Sequence, residues 1–402
     1  MPGSVENRPV PYNQSMTQKT RWFVVLVSTP LVALVTVGGL MGTPHAAEQQ
    51  SIEHLRVFED VLRLVFNAYV EDVNVDKVMD GAMRGLTDGL DTSSAFLQPD
   101  EVRAMDSKAA QPAGDVGLAV TRQFYLRVLG VRDGSPAARA GLQSGDFVRM
   151  IDNTPTRDMS GVTGARLLRG APGSKVSVTV IRGNPADPHT FQLVREALSG
   201  DLVRTTTVDG VGHVRVTSFA AGTADALRAA FDGLATSKAT GAVIDLRGVS
   251  DGTPDDGIKA ARLFVKSGTL AVRAGKSGAP VKIAAAEGDG AVTLPVVLLV
   301  SNGTANAAEV FSAALSGNQR ADLVGEPTAG VAALQKLVRL PQGYGLWLTY
   351  ERMMTVDGKD PIHERGLMPA VAIQNPLVGF DELPPTTDAP MAKAVERLKS
   401  KR

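Results

Sequence analysis

The hydrophobic pattern changes character along the chain and predicts a succession of different structural regions. Residues 22–47 are largely apolar and contain no Asp, Glu, Lys or Arg. Residues 55–66 then place apolar side chains at helical spacing, and a second, shorter helix is predicted around residues 75–90. From residue 114 the pattern becomes short apolar strands separated by glycine, and from about residue 201 strands and helices alternate. The last pattern is typical of an α/β layer domain.

These changes give the predicted domain boundaries. We predict an N-terminal signal or membrane anchor over residues 1–47, a helical domain over 48–113, a small β-rich domain over 114–183, an α/β domain over 198–378, and a Pro-rich linker with a C-terminal helix over 379–402.

The N-terminal segment indicates export. Lys19 and Arg21 precede the apolar stretch, which is the charge order of an export signal. The stretch is close to the roughly 20 residues that span a bilayer. The "PHAA" that follows is a poor cleavage site, which favours a retained anchor over a cleaved signal. We therefore expect a protein of the bacterial cell envelope, exported and either anchored in the inner membrane by this segment or periplasmic.

Composition excludes several classes of function. With 402 residues, 44% of them hydrophobic, the chain can bury a sizeable core. Lys plus Arg and Asp plus Glu number 42 each, so no basic field exists to collect nucleic acid, and no nucleic-acid partner is expected. The chain has no cysteine, and its five histidines are scattered singly. We expect neither a metal site nor a cofactor.

The β-rich region carries a specific resemblance. The stretch "GSPAARAGLQSGDFVRMIDNTP" resembles the middle of a PDZ domain of the bacterial protease type. That resemblance implies a groove that takes an extended peptide as an added strand and captures its terminal carboxylate with backbone N–H groups. The implied groove residues are Val116, Gly117, Leu118, Ala119 and Val120 on the loop and strand, with Val162, Ala165, Arg166 and Arg169 on the helical wall. Peptide or protein C-termini are the expected partners, although a groove that has lost its ligand is the alternative.

The α/β region extends the resemblance to nearly the whole chain. The stretches "LDTSSAFLQPDE", "AVIDLRG", "GNQRADLVGEPTAG" and "MMTVDGKDPIHERGLMPAVAI" fall where the C-terminal-processing (tail-specific) serine peptidases have related stretches. The resemblance runs from about Val57 to the final helix. It implies a crotonase-like, tail-specific-protease-like α/β core with an N-terminal helical segment and an inserted PDZ domain.

The catalytic positions of that family are altered in this chain. The resemblance places the nucleophilic serine at Asn306, three residues before Glu309, and the lysine base at Val331, 25 residues after Asn306. Gln335 matches the glutamine that orients the lysine. A lysine that loses its proton in an apolar pocket activates the serine hydroxyl, and neither step is available to asparagine and valine. Loss of such a nucleophile typically lowers turnover on the order of a millionfold.

The oxyanion region departs from the family as well. Within "DLRGVSDG", Asp251 stands where the family has one of two glycines, beside Gly252, and Ala307 follows the nucleophile position. A carboxylate near a site that stabilises negative charge would oppose that stabilisation. We also expect Asn306 to act as an N-cap, with Glu309 at capping-box spacing.

Three interpretations remain open at this point. The first is an inactive peptidase homologue that binds peptide or protein termini as an adaptor, regulator or scaffold, either as an oligomer or with an active peptidase relative. The second is an active serine endopeptidase with a displaced nucleophile, for which Ser301, Thr304 and Lys336 are the candidates. The third is a purely structural envelope protein.

Overall fold

The computed structural model describes residues 53–106, 113–183 and 187–400. The predicted signal or anchor over residues 1–47 lies outside the described residues. Among the residues that the structure describes, no helix is both long and apolar enough to cross a membrane. The described part of the chain divides into two units between Gly81 and Ala82. The second unit contains every residue predicted for the peptide groove and for the catalytic positions.

The helices and strands alternate largely as the sequence pattern predicts. The helices are α1 (53–68), α2 (Val75–Asp88), α3 (Pro99–Asp106), α4 (Pro136–Arg139), α5 (Gly161–Leu168), α6 (Thr223–Thr236), α7 (Pro254–Ala261), α8 (Ala307–Gly317) and α9 (Ala389–Ser400), with a 3-10 turn at Pro341–Gly343. The strands up to the end of the β-rich region are β1 (Ala95–Leu97), β2 (Gly114–Asp115), β3 (Leu118–Gln123), β4 (Tyr125–Val131), β5 (Phe147–Ile151), β6 (Thr154–Pro155), β7 (Lys175–Ile181), β8 (His189–Val194) and β9 (Glu196–Ala197). The strands that follow are β10 (Val203–Val208), β11 (Val211–Val216), β12 (Gly241–Asp245), β13 (Thr269–Gly275), β14 (Val281–Ala284), β15 (Val296–Val300), β16 (Ala321–Gly325), β17 (Ala333–Arg339), β18 (Gly345–Met354) and β19 (Val371–Ala372).

The predicted PDZ domain is an antiparallel sheet with two short helices. Its strands follow the order β3-β4-β5-β7-β8, with β6 paired to β5, so β3 lies at a free edge of the sheet. In β7, Val176, Val178 and Val180 alternate into the core, as expected for a strand with one buried face. Ser160 begins α5 by accepting a hydrogen bond from the Thr163 N–H at 3.1 Å. Helix α5 lies against β3, which creates a groove between them.

The α/β domain is built on a second sheet with the order β10-β11-β12-β15-β16-β19. All neighbours are parallel except β10 and β11. Strands β12 and β15 are buried along their whole length, which explains their continuous apolar sequences. Helices α6, α7 and α8 pack on one face of the sheet, and α9 packs on the other. A third sheet has the order β1-β18-β13-β14, with β17 paired to β18. It adds Leu270 and Met353 to the hydrophobic core between the α/β sheet and helices α6, α7 and α8.

The PDZ domain packs tightly onto the α/β domain through two glycines. A Cβ on Gly130 would lie 2.1 Å from the carbonyl oxygen of Gly248, and one on Gly303 would lie 2.1 Å from that of Leu129. Beside this contact, Arg215 donates to both carboxylate oxygens of Asp133, at 3.0 and 2.8 Å. These contacts place β4 next to the turns that follow β12 and β15.

The segment after β19 folds back onto the PDZ domain. The ring of Phe380 stacks on that of His189 at 4.1 Å between centroids, and the Arg182 guanidinium lies over it at 4.2 Å. Arg182 forms a buried ion pair with Asp146 at 2.6 Å and also donates to the Val378 carbonyl. Further along the same segment, Asp388 forms an ion pair with Arg247 of the α/β domain at 2.7 Å. The segment is therefore attached to both the PDZ domain and the α/β domain.

Candidate functional site

A cleft of about 490 Å³ lies where the PDZ groove meets the α/β domain. Its PDZ wall comprises Gly117, Leu118, Ala119, Val120, Val162, Ala165 and Arg169, and its α/β wall comprises Asp251, Gly252, Asn306, Val331 and Gln335. The two sites that the sequence predicts separately therefore share one cleft. Val116 is instead fully buried in the PDZ core, and Arg166 lines a different cavity. Ala307, also fully buried, lies behind Gly252.

Asn306 occupies the tight turn between β15 and α8 in an unusual backbone conformation. Its φ of 49° and ψ of −119° are sparsely populated by residues other than glycine and cost on the order of 1–3 kcal/mol. The side-chain Nδ2 donates to the Ser250 carbonyl at 2.7 Å, and the Asn306 side chain makes no cap hydrogen bond to the helix. The predicted N-cap interaction is therefore wrong, because the positive φ turns the side chain toward Ser250. A strained residue in a strand–turn–helix is the backbone arrangement of a nucleophile elbow.

Glu309 fixes the loop that carries Val331. The side chain is completely buried on α8, where Oε1 accepts from the Thr328 hydroxyl at 2.5 Å and the Gly330 N–H at 2.7 Å. Oε2 accepts from the Val331 N–H at 2.8 Å. Burial raises the pKa of Glu309 to about 7, against the opposing effect of these hydrogen bonds. Glu309 is thus part of the scaffold of the site, a role that its spacing from Asn306 does not show.

The turn at Gly252 and the start of α8 each present a backbone N–H group that has no acceptor within the described ranges. Gly252 has a φ of +81°, and a Cβ there would lie 2.6 Å from the Phe219 carbonyl oxygen and 3.0 Å from the Ala307 Cβ. Among the described residues, neither the Gly252 nor the Ala307 N–H donates to another group. The Asp251 carboxylate accepts from the Phe219 N–H at 2.9 Å and from the Ser218 hydroxyl. These donors offset part of the charge that Asp251 brings to the cleft.

The residues considered for a displaced nucleophile have structural contacts. The Ser301 hydroxyl accepts from the N–H groups of Gly248 and Gly303 at 3.1 and 3.2 Å. The Thr304 hydroxyl donates to the Leu246 carbonyl at 2.9 Å. Lys336 is exposed outside the cleft, with its Nζ 5.2 Å from the Tyr350 ring centroid. No lysine is buried in the part of the chain that the structure describes, so no hydroxyl there has a desolvated lysine as its base.

Gln335 lines the cleft, and its Nε2 reaches the Thr349 hydroxyl at 3.4 Å. In the family that the chain resembles, the glutamine at this position orients the catalytic lysine. Val331 stands at the lysine position and has no amine for Gln335 to orient. The described residues that line the cleft include neither lysine nor histidine. The acidic side chains that line it are Asp115 and Asp251, so a base in this cleft would be a carboxylate and not a lysine or histidine.

The carboxylate-binding loop predicted at Gly117 already carries a carboxylate of the chain itself. Asp115 Oδ1 accepts the Gly117 N–H at 2.8 Å, and Oδ2 accepts from Arg169 Nε at 3.1 Å. Gly117 is required here, because its φ is +81° and a Cβ would lie 2.2 Å from that of Ser135. The sequence interpretation missed Asp115. An Asp two residues before a glycine is a signal for such a local turn.

Comparison with known proteins decides the family. Family models match residues 127–182 as "PDZ domain" and residues 210–373 as "Peptidase family S41". A carboxyl-terminal-processing protease of Synechocystis sp. is 31% identical over 311 residues, which are 75% of this chain and 72% of that protein. The chain belongs to peptidase family S41. The predicted family, the α/β core and the PDZ domain are thereby confirmed.

Two further S41 relatives support this assignment over most of the chain. The carboxy-terminal processing protease CtpA of Bacillus subtilis is 26% identical, with 90% of this chain and 78% of that protein aligned. The solved structure of a photosystem II D1 C-terminal processing protease matches with a TM-score of 0.66 and 29% identity, over 80% of this chain and 88% of that one. The S41 fold thus accounts for both domains around the cleft.

Proposed function

We propose that this chain is a catalytically inactive S41 homologue that binds peptide or protein termini and acts as an adaptor or regulator. The observation that carries the proposal is the cleft, in which Asn306 and Val331 stand at the positions that the resemblance assigns to serine and lysine. Asparagine has no hydroxyl to activate, and valine has no titratable group. The strained turn at Asn306 and the hydrogen bond from the Val331 N–H to Glu309 keep the shape of the site without the two reactive groups.

The binding function rests on the geometry of the PDZ groove. Strand β3 has a free edge, and α5 lies beside it, so an extended peptide can pair with β3 as an added strand. The peptide carboxylate would lie at Gly117, where it competes with Asp115 for the Gly117 N–H and for Arg169. We expect micromolar affinity, or about −8 kcal/mol, because a short peptide loses entropy when it is ordered.

The proposed location follows from the N-terminal sequence. The uncharged residues 22–47 after Lys19 and Arg21 support export to the cell envelope, with the chain anchored in the inner membrane or periplasmic. In that compartment the partner would be a protein or peptide with an accessible C-terminus. An active peptidase relative or a second copy of this chain are further partners that fit an adaptor.

An activity comparison tests the proposed inactivity. The purified full-length chain should not cleave an unfolded protein, whereas Asn306→Ser combined with Val331→Lys supplies the two missing groups on an unchanged backbone. Turnover by the unmodified chain that disappears in Thr304→Ala or Ser301→Ala would overturn the proposal. Gain of turnover in the double variant alone would attribute the inactivity to these two positions.

A further inference from the structure

A second cavity, of about 320 Å³, adjoins the cleft on the far side of Thr121. Thr121, Leu129 and Val331 line both spaces, so the cavity is an extension of the cleft. Its other walls include Arg127 of β4 and the loop that carries Val331. A side chain of a peptide bound in the cleft can therefore enter it.

Arg127 is a partly buried charge whose side chain has no ion-pair or hydrogen-bond partner in the part of the chain that the structure describes. Among the described residues it forms no ion pair, and burial lowers its pKa while Glu326 attracts it from beyond ion-pair distance. Two other charged residues that line the cavity have partners. Arg122 forms an ion pair with Asp88, and the Glu364 carboxylate accepts the Thr92 N–H at 3.1 Å. An unpaired charge removed from water costs free energy, which an entering carboxylate would recover.

The strand register connects this arginine to the peptide groove. Thr121 of the edge strand β3 is paired directly with Arg127 of β4, so their side chains lie on the same face of the sheet. A peptide with its carboxylate at Gly117 would run antiparallel to β3, and the residue opposite Thr121 would project to that face as well. Leu118 and Thr121 are three residues apart, so that residue lies about three positions before the peptide C-terminus, roughly 10 Å along the strand.

We propose that the cavity beside Arg127 binds the carboxylate of an Asp or Glu side chain about three residues before the C-terminus of the bound peptide. This inference rests on the proposed peptide-binding function. The peptide strand and β4 lie two strand spacings apart, about 10 Å, which an arginine and a glutamate side chain together can span. The occupant is thus an acidic side chain of the same peptide that the PDZ groove holds.

A pair of octapeptides tests the inference on the full-length chain. Both end in Ala-Leu with a free carboxylate, and they differ only in carrying Glu or Gln at the fourth residue from the C-terminus. By fluorescence anisotropy, the Glu peptide should bind about tenfold more tightly, as for a partly buried charge-assisted pair. Arg127→Gln should reduce this preference to within about twofold while leaving the Gln peptide's affinity unchanged. Higher salt should weaken the preference.

The matched control is Arg149→Gln, which removes the same charge from an exposed position on β5 of the same domain. It should keep the tenfold preference. Equal binding of both peptides by the unmodified chain, or an undiminished preference in Arg127→Gln, would overturn this inference and leave the proposed function standing. Failure of the unmodified chain to bind any peptide with a free C-terminus would overturn the proposed function and this inference with it.

Discussion

Glu309 Oε2 accepts a hydrogen bond from the Val331 N–H at 2.8 Å, so the helix that follows Asn306 holds the loop on the opposite side of the cleft. The bond depends on the backbone of Val331 and is independent of its side chain. The loop at Val331 is therefore joined to α8, which begins directly after Asn306, by a contact that does not involve the Val331 side chain. The position of the loop is therefore set by Glu309, whichever side chain residue 331 carries.

The same carboxyl group should make stability depend on pH. Its pKa in the folded chain is about 7, above the ordinary value of 4.5, so between these values the folded chain keeps a proton that the unfolded chain loses. The free energy of unfolding should thus fall as pH rises through this window, by up to about 3 kcal/mol. Denaturant unfolding at both ends of the window measures it. Glu309→Gln should lack this component, and an equal pH dependence in the variant would contradict the assignment to Glu309.

Gly252 should tolerate no side chain. In Gly252→Ala, the new Cβ meets the Phe219 carbonyl oxygen and the Ala307 Cβ at a φ of +81°, so we expect a loss of about 2 kcal/mol or more. Gly233→Ala is the control, because nothing lies within 4 Å of its Cβ on α6. That substitution should stabilise the chain by about 0.5–1 kcal/mol. Similar unfolding midpoints for the two variants would show that the turn at Gly252 relaxes.

The sequence predicts the fold well where local pattern and global packing agree. The five residues of β15 are all apolar and all buried, and the α/β alternation around that strand has no competing interpretation. The family resemblance, with the same spacing of 25 residues between Asn306 and Val331, assigns these two residues to one site, and both line the cleft. The assignment holds because Asn306 follows β15 and Val331 follows β16, and these two strands are parallel neighbours in the sheet.

The contacts missed by the sequence analysis depend on backbone angles and on packing between domains. The side chain of Asn306 points to Ser250 because of a positive φ that the tight turn imposes, and helix propensity alone predicts a cap instead. From the sequence alone, Arg127 is indistinguishable from any polar residue on the exposed face of a strand. Only the packing of the PDZ domain against the loop at Val331 encloses it in a cavity.

The N-terminal segment gives a prediction about location. Cell fractionation should leave the chain with the membranes, and N-terminal sequencing of the mature protein should find residues upstream of Trp22. The reason is the long uncharged stretch followed by a poor cleavage site. Recovery of a soluble chain that begins near Glu48 would show that the segment is a cleaved signal.

Asp115 should set the affinity of the groove for a free C-terminus. Peptides with an apolar C-terminal residue and a free carboxylate should bind more tightly than their C-terminal amides, because N–H groups and Arg169 stabilise a charged acceptor more than a neutral one. In Asp115→Asn the side chain can still accept the Gly117 N–H, but the competing charge is gone and Arg169 is released. The affinity for acid peptides should rise about tenfold, with amide peptides changed by less than about twofold.

Two further variants decide whether this effect belongs to the loop at Gly117. Asp232→Asn removes the same charge from an exposed position on α6 and should change neither affinity. Gly117→Val should remove acid-peptide binding without unfolding the α/β domain, because its Cβ would lie 2.2 Å from that of Ser135. Isothermal titration calorimetry gives the affinities, and circular dichroism checks the fold. If Asp115→Asn binds acid peptides no better than the unmodified chain, or if Gly117→Val still binds them, the carboxylate is held elsewhere, and the Gly252 and Ala307 N–H groups beside Asn306 become the next place to test.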